Sequence, residues 1–99
     1  MLGGYWLRVK SVVKTRTTVK RSVKVRYFAV LKEERGLGEE TLDTEAETIL
    51  DLYDELQARY GFGLPSSKIR VALKDEFVSF DTKIQDQADI IFVPPVAGG

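Results

Sequence analysis

The segment Thr44-Glu45-Ala46-Glu47-Thr48-Ile49-Leu50-Asp51-Leu52-Tyr53-Asp54-Glu55-Leu56-Gln57-Ala58-Arg59-Tyr60 decides the fold. Ile49, Leu52, Tyr53, Leu56 and Tyr60 recur at i, i+3, i+4, i+7 and i+11, which lines them up along one stripe of an α-helix. Asp51, Asp54 and Glu55 fall off that stripe and Arg59 follows Glu55 by four residues, so the opposite face is solvated and suited to an ion pair. Thr44 and Glu47 have the Thr-x-x-Glu spacing of a capping box, which predicts where the helix starts. Gly61 and Gly63 offer a C-terminal stop, and Pro65 keeps the helix from resuming. A single apolar stripe must be buried against something, and the flanking sequence supplies strands.

Upstream, Val19, Val23, Val25, Tyr27 and Ala29 share one parity while Lys20, Lys24 and Arg26 share the other, the signature of a half-buried strand. Leu31 to Leu37 can form at most a short helical turn before Gly36 and Gly38. Glu39–Thr44 then reads as a second strand, Thr41 and Asp43 alternating with Glu40, Leu42 and Thr44. Downstream, Ile69, Val71 and Leu73 alternate with Arg70 and Lys74 up to a turn at Lys74–Asp75–Glu76, followed by a hairpin partner, Phe77 to Phe80. Ile84 is a lone apolar plug, and Ile90–Val93 is a last strand stopped by Pro94-Pro95. This order predicts an α+β domain in which a curved sheet packs on one main helix.

Ninety-nine residues suffice for one small domain, and 43% hydrophobic residues with only eight glycines and three prolines mark a folded chain rather than a disordered one. No apolar run approaches the ~20 residues of a membrane helix, so no membrane association is expected. The absence of cysteine excludes disulfides and thiolate metal sites, and the absence of histidine removes the commonest general base and metal ligand. Neither a metal nor a bound cofactor is expected, and any chemistry must run through some other group. The net charge of zero conceals an asymmetry. Residues 1–26 hold eight of the 15 Lys and Arg and none of the 15 Asp and Glu, leaving an acidic body behind a basic arm. Residues 1–22 are read as a basic extension and residues 23–99 as the domain. The extension has the acid-poor, Arg-, Ser- and Thr-bearing composition of a mitochondrial presequence without a marked cleavage site. It could also grip nucleic acid, but Tyr5 and Trp6 stand outside the basic run, so nucleic acid is not an expected partner.

The chain ends Val96-Ala97-Gly98-Gly99, small residues leading from a Pro-Pro stop to a free carboxylate. Phe77-Val78-Ser79-Phe80-Asp81, followed by Ile90-Ile91-Phe92-Val93-Pro94-Pro95-Val96-Ala97-Gly98-Gly99, closely resembles the small subunits of molybdopterin synthase, and Val23-Lys24-Val25-Arg26-Tyr27-Phe28-Ala29 looks like that family's first strand. The resemblance covers about residues 22–99. It implies a β-grasp (ubiquitin-like) fold with a flexible Gly-Gly tail, residues 94–99 forming the reactive segment. Two features depart from the family: the basic arm, and Asp86-Gln87 where an Asp-Gly turn often precedes the last strand.

The resemblance further implies that the Gly99 carboxylate is adenylated by an ATP-dependent activating enzyme. It is then converted, with a sulfur donor protein, to a thiocarboxylate that gives its sulfur to a pterin precursor. By the same resemblance, that step would take place inside the large synthase subunit, in a cytoplasmic heterotetramer. The chain would then be a sulfur-donor subunit whose partners supply the catalytic side chains. A carboxylate lacks a leaving group; adenylation provides one, and sulfur exchange makes a soft nucleophile. Gly98 and Gly99 would let the tail thread a narrow channel. Extended, the six residues from Pro94 reach roughly 20–22 Å. Docking would use Phe28, Phe77 and Val93 as an apolar patch on the sheet face away from the helix, with Pro94 and Pro95 at the root of the tail. Alternative readings are a sulfur carrier for thiamine or tRNA thiolation, a ubiquitin-like protein modifier, or a nucleic-acid-binding module using the basic arm.

Overall fold

The alternation that opens the domain becomes β1 (Arg21–Tyr27), in which Val23, Val25 and Tyr27 are buried and their neighbours half-exposed. The coordinates, a computed structural model, describe residues 20–95, so the arm up to residue 19 and the tail Val96-Ala97-Gly98-Gly99 lie outside the described residues. After β1 come α1 (Ala29–Arg35), β2 (Glu39–Thr44), α2 (Ile49–Tyr60), a 3₁₀ turn (Ser66–Lys68), β3 (Arg70–Leu73), β4 (Glu76–Val78) and β5 (Asp89–Val93). The five strands form one mixed sheet in the order β2-β1-β5-β3-β4. The central β1–β5 pair is parallel and the other pairs antiparallel. A parallel pair needs a long crossover, and here everything between β1 and β5 provides it, carrying α2 across one face. This is the β-grasp fold. Among the described residues no helix is long and apolar enough to cross a membrane.

The core lies between α2 and the inner sheet face. Ile49, Leu52, Tyr53 and Leu56, four members of the expected stripe, are fully buried against Val23, Val25, Val71, Ile90 and Phe92, and Tyr60 closes the stripe half-buried. Tyr53 anchors an aromatic cluster, its ring 5.3 Å from that of Phe92 and 5.9 Å from that of Phe62. Its hydroxyl donates to the Leu64 carbonyl. Burial pushes that phenol up to about 12, with Glu34 and Asp54 adding to the shift.

Several local expectations are corrected. The capping box is not Thr44/Glu47 but Thr48/Asp51: the Asp51 amide donates to Thr48 Oγ1 and the Thr48 amide to Asp51 Oδ2. Thr44 belongs to β2, where its buried hydroxyl donates to Glu55 and accepts from the Ala46 amide. The same spacing occurs twice in succession, and the first occurrence is claimed by pairing with Arg21 across the sheet. The other leading amides of α2 are satisfied by the connection after β4, Ile49 N–H donating to the Thr82 carbonyl and Leu50 N–H to that of Phe80. Hence β4 ends at Val78 rather than Phe80, and Phe80 turns inward to stack on Phe92 at 6.3 Å. The expected short turn after β1 is a two-turn helix plugged into the core by Leu31, which is completely buried. Ala29 opens it at φ 52°, which breaks the strand's alternation and leaves Ala29 exposed instead of in the core. Ile84 is buried, as its isolation in a polar segment predicts.

The turn before β5 keeps its geometry without glycine. Gln87 takes φ 70°, its amide donates to the Ser22 carbonyl (2.6 Å), and Asp86 Oδ1 accepts from the Ser22 amide (2.8 Å), which zips the turn to β1. A side chain in the left-handed region is strained by about 1–2 kcal/mol. Gln87→Gly is therefore expected to stabilise the domain by about 0.5–1 kcal/mol after the loss of chain entropy is counted. Equilibrium urea unfolding measures this, and an unchanged or lowered midpoint would show that the turn is not strained.

Candidate functional site

Because Ile90 and Phe92 point into the core, Ile91 and Val93 stand on the opposite, outer face, half-buried. Strand register builds rows across that face. Arg26, Ile91, Ala72 and Phe77 align in one row, with Glu39 beside Arg26, and Val93 pairs with Arg70 in the next. The row changes character along its length. On the β1–β2 side, charges compensate one another: Lys24 Nζ lies 3.7 Å from Glu39, and Arg26 Nε lies 3.7 Å from Glu39 and 3.5 Å from Asp89. The pairs with the exposed Glu39 contribute roughly 0–1 kcal/mol each, so they set charge pattern more than stability. Toward β4 the face is apolar, and Phe77 is 52% exposed.

Phe77, Val93, Pro94 and Pro95 line one groove together with Ser67, Lys68, Ile69 and Arg70, a concavity of about 490 Å³ at the root of the tail. Four of the seven residues singled out from sequence thus come together. Pro94, however, is itself buried, so it serves as wall and backbone stop, while Pro95 is exposed. Phe28, 48% exposed, is not part of this groove. It caps α1 just past β1 and lines a separate hollow with Arg26, Lys32, Gly38 and Glu39. Phe28 thus lines a different concavity from Phe77 and Val93, just past the end of β1, where Ala29 takes a positive φ. Gly98 and Gly99 lie outside the described residues. Sequence reasoning passed over Ile91, which Val93's parity already marked. It also passed over Arg70, whose guanidinium stacks 3.9 Å above the Phe77 ring. That contact crosses strands and no local pattern signals it.

On the inner side a polar cluster braces α1 against the sheet. Glu40 accepts from the Tyr27 hydroxyl (2.6 Å) and takes two bonds from Arg35 (2.7 and 2.9 Å), whose guanidinium lies 3.9 Å over Tyr60. The Arg35 hydrogen bonds, and after them that from Tyr27, hold the Glu40 carboxyl below its usual range against the opposing effect of burial. Burial first, then the bond to Glu40, raises the Tyr27 phenol. A depressed carboxyl adds stability that is complete above its unfolded value of about 4.3 and is lost as pH falls below it. Glu40→Gln is expected to cost about 1–3 kcal/mol at pH 7, and its stability should fall less steeply than the parent's between roughly pH 5 and 3. Urea midpoints of both proteins across that window test this; parallel curves would remove Glu40 from the acid response.

With this geometry in view, the chain's relatives are informative. It matches the ThiS family over residues 25–99. It is 30% identical over 80 residues to the molybdopterin synthase sulfur carrier subunit of Escherichia coli (strain K12), an alignment that takes in 78% of this chain and 99% of that protein. It is similar to a chain in the complex of subunits 1 and 2 of molybdopterin-converting factor from Helicobacter pylori 26695. There the TM-score is 0.54 with 29% identity, covering 79% of this chain and 99% of that one. The small archaeal modifier protein 1 of Methanosarcina acetivorans shares the fold, with TM-score 0.66 and 24% identity over 82% of this chain and 99% of that one. The family match begins inside β1 and runs through the tail root to Gly99, so the chain belongs to the ThiS family.

Proposed function

We propose that this chain is the sulfur-carrying small subunit of a molybdopterin synthase, acting in the cytoplasm through its own C-terminal carboxylate. The observation that carries the reading is an alignment spanning nearly the whole of a molybdopterin synthase sulfur carrier subunit, on a chain whose Val93, Pro94 and Pro95 line an open groove with Phe77. In this reading the Gly99 carboxylate attacks ATP on an activating enzyme, forming an acyl adenylate and releasing pyrophosphate. The outer sulfur of a donor-protein persulfide then attacks the acyl carbon and AMP leaves; a thiol attacks the donor-side sulfur of the resulting acyl disulfide, forming a disulfide with the donor and releasing the thiocarboxylate. The groove of Phe77, Val93 and Pro95 docks the large subunit, and the tail presents the sulfur to the pterin precursor within it. The chain has no histidine or cysteine, so the acid–base groups belong to the partners. The neighbouring modifier protein supports only the shared fold.

The test is the intact mass of the chain purified from cells that also express the activating enzyme, followed by incubation with the cognate large subunit and the pterin precursor. Replacement of one oxygen by sulfur, and its loss as the dithiolene product forms, is the expected result. An unmodified terminus, or a thiocarboxylate that delivers sulfur only to a thiazole or tRNA acceptor, would overturn the assignment. So would a terminus recovered in isopeptide linkage to other proteins.

A further inference from the structure

The tail-root groove carries a charge pattern that the docking role alone does not require. Its floor is apolar, formed by Ile69, Val93, Pro94 and Phe77, and among the described residues its charged lining is Lys68 and Arg70. On the β1–β2 side of the same face Lys24 and Arg26 each lie within 4 Å of a carboxylate. Among the described residues neither Lys68 nor Arg70 has such a partner. Both are exposed, and Arg70 is held in place by its stack on Phe77 rather than swinging freely. A guanidinium fixed by its flat face keeps its N–H edge available for a carboxylate, and the entropy of ordering it is already spent.

We infer that Lys68 and Arg70 are an electrostatic docking element for an acidic surface segment of the large subunit, one that sets an apolar side chain on the groove floor and a carboxylate against the cationic rim. This rests on the proposed identity of the partner and adds what that partner must present at the mouth through which the tail enters. The apolar floor argues for a protein segment: a polyanionic nucleic-acid backbone would keep its hydration and leave the floor uncovered. Uncompensated charge at the rim acts on encounter and orientation, so its signature is in the association rate. The compensated quartet Lys24, Arg26, Glu39 and Asp89 has no net charge with which to steer.

Stopped-flow association of the full chain with the cognate large subunit, over a series of salt concentrations, tests the inference. The double reversal Lys68→Glu/Arg70→Glu is expected to slow association about tenfold at low salt and to abolish or invert the salt dependence. Lys68→Arg, which keeps the charge and leaves the Arg70 stack on Phe77 in place, should stay near the parent, and thermal melts should show both proteins folded. Parent-like association and salt dependence in the reversed protein would overturn the inference while leaving the partner assignment standing. No complex with the parent chain would overturn both. Two further outcomes would assign the groove differently. A charge effect that vanishes when residues 96–99 are removed points to the chain's own tail, and a salt-sensitive dimer of the free chain points to a second copy.

Discussion

A chain lacking Gly99 but loaded chemically with sulfur should bind the large subunit as tightly as the parent, yet deliver its sulfur about a hundredfold or more slowly. Removing one residue withdraws the reacting group by about 3.5 Å, and misplacement by even ~1 Å can lose on the order of a hundredfold in rate. Gly98→Val keeps the length but sets a β-branched side chain beside the carboxylate, narrowing φ and widening the tail where a channel would have to admit it. The core cluster is built entirely from residues before the tail, so unfolding free energy should move by no more than ~0.5 kcal/mol. Starting from the pre-formed thiocarboxylate separates tail reach from adenylation. Single-turnover formation of the dithiolene product is the measurement. Normal turnover by the shortened protein would refute the reach argument, and normal turnover by Gly98→Val the steric one.

The second large effect concerns Phe77. With 52% of its surface exposed and its ring under Arg70, Phe77 contributes little to the core. Phe77→Asp should therefore lower the free domain's stability by no more than about 1 kcal/mol, the worth of an exposed cation–π contact. In the complex the same carboxylate would be desolvated at the centre of an apolar groove, and central aromatic anchors commonly carry 2 kcal/mol or more. The expected result is a Kd raised about thirtyfold or more, with the melting curve little changed. Calorimetric titration against the large subunit, beside thermal unfolding of the free chain, separates the cases. Retained affinity would move the interface off the β4 side of the face, and an unfolded variant would make Phe77 a structural residue.

Local signals read truly wherever a residue's environment follows from its neighbours in sequence. The α2 stripe, the parity of β1, the isolation of Ile84 and the glycine stop at Gly61 all act within a few residues. They fell short where a distant segment competed for the same group. Thr44 had the spacing of a cap but was taken by β2, and the Thr82 and Phe80 carbonyls completed the helix start instead. Ala29 had the parity of a core residue, but a turn into α1 that inserts Leu31 overrode it.

By itself the sequence determined the α+β class of fold, the inner and outer faces of the first strand, and a glycine-ended tail after a Pro-Pro stop in a chain with no histidine or cysteine. Those follow from periodicity, turn chemistry and composition, which act locally along the chain. Only the tertiary structure decided which exposed residues are neighbours. The parallel pairing of β1 with β5 and the antiparallel pairing of β3 with both β4 and β5 put Phe77, Ile91 and Arg26 in one row. It stacked Arg70 on Phe77 and left Phe28 in a hollow of its own. Strand order is set by burial of the whole sheet against α2, a sum over long-range contacts that no short window of sequence contains.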